Sequence, residues 1–262
     1  MNQWSIQRKR LILSIVIVTL VILIGAPIFF LFYRAPTCFD GKQNGDETGI
    51  DCGGSCQLLC TAESSTLIQR GDPRVLEVVP GVFEVVALVE NPNPGAEIYR
   101  AGYVFRLYGA SSIIPLRVLE GEVYVPKGVT FALFEGPFSL EDGVVPTRAT
   151  LEWKAESLVW QRNTLPRPEI IVRDMSLSRG STTPRLDAII ENMSLENVSN
   201  IDLVALIANE SGNIFAASKT FVDSLSAGAR VPVVFTWPRP FVDSVIDINI
   251  IIRILPDKSF LR

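Results

Sequence analysis

The sequence predicts an all-β protein: two tandem β-sandwiches preceded by one transmembrane helix and a small disulfide-rich segment. Three observations predict it. An uncharged apolar run, Leu11 to Tyr33, stands behind the basic start Gln7-Arg8-Lys9-Arg10. Four cysteines, Cys38, Cys52, Cys56 and Cys60, follow at once, and the remainder of the chain has none. From about Leu67 onward, short runs of Val, Ile, Phe and Tyr alternate with clusters of Gly, Pro, Asn and Asp, and the pattern occurs twice. The expected division is 1–10 cytoplasmic, 11–33 membrane helix, 34–63 cysteine-rich segment, 64–162 first sandwich and 166–262 second sandwich.

The apolar run comes first. At 1.5 Å per residue it spans roughly 34 Å, enough for a hydrocarbon core of ~30 Å. Arg8, Lys9 and Arg10 precede it and only Arg34 lies just after it, so the positive-inside bias puts the N-terminus in the cytoplasm and the bulk outside. Pro27 lies in its outer third, where a kink is tolerable. The rival reading is a cleaved signal peptide. It fits less well, because a signal core is shorter and ends in small residues, whereas Phe32-Tyr33-Arg34-Ala35-Pro36 follows here.

Four cysteines outside a membrane, an even number, read as two disulfides, with three connectivities open. A zinc site is the rival, but the spacing lacks the paired C-x-x-C knuckles of zinc ribbons. Between the cysteines lie Asp40, Asn44, Asp46, Glu47 and Asp51 among glycines. Hard oxygen ligands on a glycine-rich loop suit calcium, so Asp40, Asn44, Asp46 and Asp51 are candidate calcium ligands, although the spacing is not that of an EF-hand. The plainer alternative is that Asp, Asn and Gly make turns in a segment too short for a core.

Composition narrows the function. The 262 residues carry a net charge of −4 with both signs interspersed downstream, so there is no basic patch for nucleic acid. The absence of histidine excludes Ser-His-Asp and Cys-His catalysis and every His-containing metal site.

The expected strands of the first half are Val82 to Glu90, Tyr99 to Tyr108, Ile113 to Leu119, Val129 to Phe134 and Ala149 to Trp153. Those of the second are Ile170 to Met175, Leu186 to Glu191, Ile201 to Ala208, Ile214 to Phe221, Arg230 to Thr236 and Val245 to Ile254. The halves align at an offset of about one hundred residues: Val85 to Asn91 matches Leu186 to Asn192, and Tyr103 to Tyr108 matches Leu203 to Ala208. Two copies are too few for a solenoid, so each is expected to be its own domain, joined by the extended linker Gln161 to Pro168. Strand alternation places Tyr103, Phe105 and Leu107 in the core and Val104, Arg106 and Tyr108 on the other face.

Two resemblances add to this reading. The stretch from Cys38 to Cys56 resembles a cysteine-rich motif, C-x-D-G-x-x-N-G-D-E-T-G-x-D-C-G-G-x-C, of bacterial and archaeal surface proteins, which implies an extracytoplasmic setting. The first unit, through Val89-Glu90-Asn91-Pro92-Asn93 and Tyr103 to Tyr108, resembles the late-embryogenesis-abundant group-two (WHy) domain. The second, through Glu191-Asn192, Val198 to Ile207 and Ser224 to Gly228, resembles the related FxLYD domain, but with Leu206-Ile207-Ala208 where an aromatic-rich strand is usual. These resemblances imply immunoglobulin-like sandwiches and no catalytic residues.

Other residues invite a functional reading. Asn192, Asn197 and Asn209 head glycosylation sequons, but turns are rich in Asn and Ser. Trp153, Trp160 and Trp237 could stack on sugars, but such tryptophans more often cap a core. Asp223, Asp243 and Asp247 form no ordered acid–base pair. The expectation is therefore a non-enzymatic, single-pass protein of the cell membrane. It would present two sandwiches for contact with other envelope or surface proteins. A calcium- or glycan-dependent adhesin is the alternative.

Overall fold

In the computed structural model, residues 3–32, 37–140, 143–178 and 183–256 are described. One helix, α1 (Gln3–Phe32), opens the chain with Pro27 inside it. Its stretch Gln7–Pro27 is long and apolar enough to cross a membrane, and none of it is buried against the rest of the protein. Ser14 and Thr19 donate to the carbonyls of Arg10 and Ile15, four residues back, so their hydroxyls are satisfied inside the helix. Tyr33, the expected outer end of the span, and the flanking Arg34 lie outside the described residues.

Among the described residues fourteen strands follow, and every pairing between them is antiparallel. The first unit contains β1 (Ile68–Gln69), β2 (Arg74–Val79), β3 (Val82–Glu90), β4 (Ala96–Tyr108), β5 (Arg117–Val125), β6 (Thr130–Ser139), β7 (Arg148–Trp153) and β8 (Gln161–Arg162). The second contains β9 (Ile170–Ser178), β10 (Arg185–Asn192), β11 (Val198–Ala208), β12 (Ile214–Leu225), β13 (Arg230–Thr236) and β14 (Asp247–Ile254). In the first unit β3 lies between β2 and β6, with β1 continuing the β2 edge, and β4 lies between β5 and β7, with β8 also pairing β4. In the second unit β10 lies between β9 and β13, and β11 between β12 and β14. Apart from β1 and β8, the two units thus share one topology, and each is a pair of packed sheets.

Alternation along the strands builds the cores. In β4, Tyr103, Phe105 and Leu107 enter the first core with Val85, Ala87 and Val89 of β3 and Phe131 and Leu133 of β6. Leu203, Ala205 and Ile207 of β11 take the same place in the second, against Leu186, Ala188 and Ile190 of β10. Between the units lies a third apolar cluster. Leu76, Val86 and Ala132 on the outer face of the β2-β3-β6 sheet meet Val204, Leu206 and Ala217 on the outer face of the β12-β11-β14 sheet, with Leu88, Phe134, Ile214 and Ile251 around them. β11 therefore buries both faces, which is why it reads as the continuous run Val204-Ala205-Leu206-Ile207 instead of an alternation.

The linker is held as well. Lys127 Nζ donates to the carbonyl and Oδ1 of Asn163 at 2.8 and 2.9 Å and to the carbonyl of Leu165. Asn163 Nδ2 donates to Glu97 Oε2 at 2.8 Å. The proline-rich connection is therefore fastened to the first unit along its start.

Expected and observed strands differ most in two places, besides the two-residue β1 and β8, the latter formed by Gln161 and Arg162 of the expected linker. Ile113 to Pro115 belong to the loop before β5, which begins only at Arg117. Pro115 has no N–H for a ladder, and Leu116 N donates to Leu107 O to close the hairpin below it. β2 is a strand that period-two patterning does not mark, because Arg74 and Glu77 interrupt its apolar residues.

Candidate functional site

Two places gather unusual chemistry: the cysteine-rich segment and the seam between the units.

In the first, the disulfides are Cys38–Cys56 and Cys52–Cys60, and no cysteine is free. Gly53 and Gly54 follow Cys52 at positive φ, and an added Cβ would lie 1.8 Å from Thr48 Oγ1 at Gly53 and 2.1 Å from the Asp46 carbonyl at Gly54. Only glycine fits either position. The carboxylates face backbone N–H groups and neighbouring side chains. Asp51 accepts from the amides of Asp40 and Gly41 at 2.9 to 3.1 Å. Asp40 accepts from Lys42 N at 3.0 Å and from Asn44 Nδ2 at 2.8 Å. Glu47 accepts from Asn44 N at 3.1 Å, and Asp46 from Ser55 Oγ at 2.8 Å. Asp40, Asn44 and Asp51 are thereby linked, while Asp46 stands apart with Ser55. Among the described residues, one trio of cysteine or carboxylate groups has ligand atoms within 4.8 Å of one another: Cys38, Glu47 and Cys56. Its two sulfurs are spent in a disulfide. The acids act as turn caps that fix a short loop where no core can.

This segment is docked on the first unit. Leu59 N donates to Trp160 O at 3.0 Å, Arg162 N to Gln57 O at 2.8 Å, and Gln57 Nε2 to Arg162 O at 2.6 Å. Arg162 Nη2 donates to Gly54 O at 2.8 Å, and Leu59 packs against the first core.

At the seam, polar groups ring the apolar cluster. Arg74 Nη2 donates to Asn213 Oδ1, and Arg239 stands 3.9 Å from Glu77. Asp202 receives Arg253 at 2.7 Å and Lys219 at 3.1 Å. The Arg253 guanidinium lies 5.9 Å from the centre of the Phe131 ring, across the seam. A cleft of about 350 Å³ opens beside the linker, lined by Glu97, Tyr99, Tyr124, Lys127, Arg167 and Arg253. Burial and the neighbouring Glu97 push the Tyr99 phenol up to about 12, and burial raises Tyr124, whose hydroxyl donates to Glu97 at 2.6 Å. Desolvation lowers the Lys127 ammonium. A second cleft of about 270 Å³ is walled by Phe215, Trp237 and Phe241, with Glu84 at its side. Burial raises the Glu84 carboxyl to about 7.

The remaining candidates resolve as structural groups. Trp160 and Trp237 are buried, Trp237 Nε1 donates to Ala217 O at 2.8 Å, and Trp153 packs edge-on against Tyr103. They form no common sugar-stacking surface. Asn192 is 0% exposed and donates to three carbonyls, those of Glu196, Leu225 and Ser226. A glycan cannot be attached to it in the folded chain. Asn197 Oδ1 caps Ala227 N, and Asn209 Oδ1 accepts from Ser211 N and Asn213 N. Asp243 accepts from Asn209 Nδ2 at 2.8 Å.

The seam was missed by sequence reasoning. Its signal was the unbroken apolar run Leu203 to Ile207, which marks a strand buried on both faces.

No protein-family model matches the chain, and no curated protein matches it.

Proposed function

We propose that this chain is a single-pass protein of the cell membrane that holds two β-sandwiches outside the cytoplasm for contact with other envelope or surface proteins. The observation that carries the reading is the pair of disulfides that begins six residues beyond an apolar helix of membrane-spanning length. Disulfides persist in oxidising compartments, so they support an exported setting for everything after α1. Arg8, Lys9 and Arg10 before the span favour a cytoplasmic N-terminus.

The role is binding or structural, with no catalysis. The clamped cysteine segment, the fastened linker and the apolar seam favour a stiff body that offers end loops and sheet edges for recognition. The proposed immunoglobulin-like character of the units follows from their resemblance to the late-embryogenesis-abundant and FxLYD domains, carried by Val89 to Asn93 and Tyr103 to Tyr108 in the first and by Glu191-Asn192, Val198 to Ile207 and Ser224 to Gly228 in the second. Nucleic acid is not among the partners, given the net charge of −4 and the interspersed signs.

The test is protease added to spheroplasts, followed by cross-linking of intact cells. Residues 61–262 should be digested without lysis, and cross-linking should recover envelope proteins on the sandwich units. Protection of that segment until lysis would reverse the orientation.

A further inference from the structure

The most exposed apolar residues of the sandwich units, Ile113 at 90%, Val242 at 97% and Leu195 at 98%, lie in loops between strands, and Val118, Met175 and Phe221 are about half exposed on strands. Two others lie elsewhere. Phe39 is 81% exposed and Ile50 is 65% exposed, and both belong to the cysteine-rich segment. Asp40 N donates to Asp51 Oδ1 at 2.9 Å, which joins the two segments of chain that carry them. Cys38–Cys56 and Cys52–Cys60 fix the backbone next to each of them. A disulfide-fixed loop therefore holds a phenyl ring and a branched aliphatic chain out to solvent.

Chain length says what can cover them. Phe39 is seven residues beyond Phe32, the last residue of α1, so it lies within about 25 Å of the helix end at ~3.3–3.6 Å per residue. The headgroup layer beyond the hydrocarbon occupies roughly 5–8 Å on each side. The segment is thus tethered within reach of that layer.

We propose that the cysteine-rich segment rests on the outer surface of the bilayer, with Phe39 and Ile50 in the interfacial layer as a second, non-covalent membrane contact. The inference rests on the reading of α1 as a membrane anchor. Aromatic rings are at home at that depth. Asp40, Asp46, Glu47 and Asp51 outnumber Lys42 in the loop, so the surface it fits is zwitterionic and not anionic. Because Gln57, Leu59 and Gly54 are bonded to Trp160 and Arg162, a loop seated on lipid would also set how the first sandwich stands on the membrane.

The experiment is hydroxyl-radical footprinting of the oxidised full chain in phosphatidylcholine nanodiscs at one copy per disc. Oxidation is read residue by residue and corrected for intrinsic reactivity. Ile113 and Leu195 serve as exposed references, and Leu11 to Ile24 report on the helix. Phe39 and Ile50 should be oxidised several-fold less than their exposure sets, while Ile113 and Leu195 react in full. Oxidation of Phe39 and Ile50 in proportion to their exposure, with the helix protected, overturns this inference and leaves the anchor standing. Oxidation along Leu11 to Ile24 removes the anchor, and this contact with it.

Discussion

At the scale of single residues, two buried asparagines show how the duplicated unit closes. Asn91 donates to the carbonyls of Ala96 and Pro126 at 2.8 and 2.9 Å and accepts from Asn93 N at 2.9 Å. Asn192 repeats the clasp, donating to Glu196, Leu225 and Ser226 and accepting from Ser194 N at 2.9 Å. Each ties the end of one sheet's central strand to the far end of the other sheet. Asn192→Ala leaves several buried groups unpaired, at a cost of ~1–3 kcal/mol apiece, so a total loss of about 3 kcal/mol is expected in chemical denaturation. The repeated Glu-Asn pair was legible in the sequence, but its distant partners Pro126, Leu225 and Ser226 were not, since they lie more than thirty residues away. Glu84 gives a pH prediction. Its ordinary value of 4.5 rises to about 7 in the fold, where Glu77, Arg239 and Asp243 share its cleft. A raised carboxyl favours the fold fully below pH 4.5, and that contribution is lost as pH climbs to about 7. The group is partly open to water, so screening leaves roughly 1–2 kcal/mol. Glu84→Gln should match the parent in thermal melting at pH 4 and exceed it at pH 8; an equal Tm at both would remove the buried-carboxyl account.

At the scale of elements, period-two patterning located the strands, and β3 and β13 run between the expected residues. It worked where one face met a core, as for Tyr103, Phe105 and Leu107. It stumbled at β2, whose charges belong to the rim of the seam, and at Ile113-Ile114, whose apolar residues serve no core. The cysteine pairing was open because three connectivities satisfy any four cysteines. What chose between them is the loop itself: the Asp51 cap on Asp40 and Gly41, and the two crowded glycines after Cys52. Those caps also bear on calcium. Asp40 and Asp51 are engaged with amides, and Asp46 is held by Ser55, away from them. Titrating the oxidised full chain with calcium should give no saturable calorimetric signal up to ~10 mM, well above the ~10⁻⁴–10⁻³ M range of extracellular modules. A saturable one-site isotherm that vanishes in Asp51→Asn would show that the turn caps double as ligands.

At the scale of the whole molecule, the duplication sets a problem that the surface charges solve. The seam joins the outer face of the β2-β3-β6 sheet to that of the β12-β11-β14 sheet, two different faces of one repeated unit. Contacts of this head-to-tail kind do not close, and they invite further copies. The equivalent faces still open are those of β9-β10-β13 at one end and β5-β4-β7 at the other. Matching positions differ in kind. Leu206 is replaced by Arg106 and Ile251 by Glu152, and these two form a salt bridge. Val86 is replaced by Asp187, paired with Arg185 at 2.7 Å, and Glu191, four residues further along the same strand, holds Arg173 and Arg230. Exposed pairs of this sort add little to stability, ~0–1 kcal/mol, so their weight lies in what they keep apart. Burying them against a second copy would cost more than their mutual attraction returns. Restoring the seam residues at both ends with Arg106→Leu, Glu152→Ile and Asp187→Val should therefore leave each core intact and turn the body self-adhesive. In detergent micelles the triple variant should sediment as concentration-dependent assemblies while the parent does not. A triple variant that sediments like the parent at every concentration would mean that shape, and not charge, ends the stack at two units.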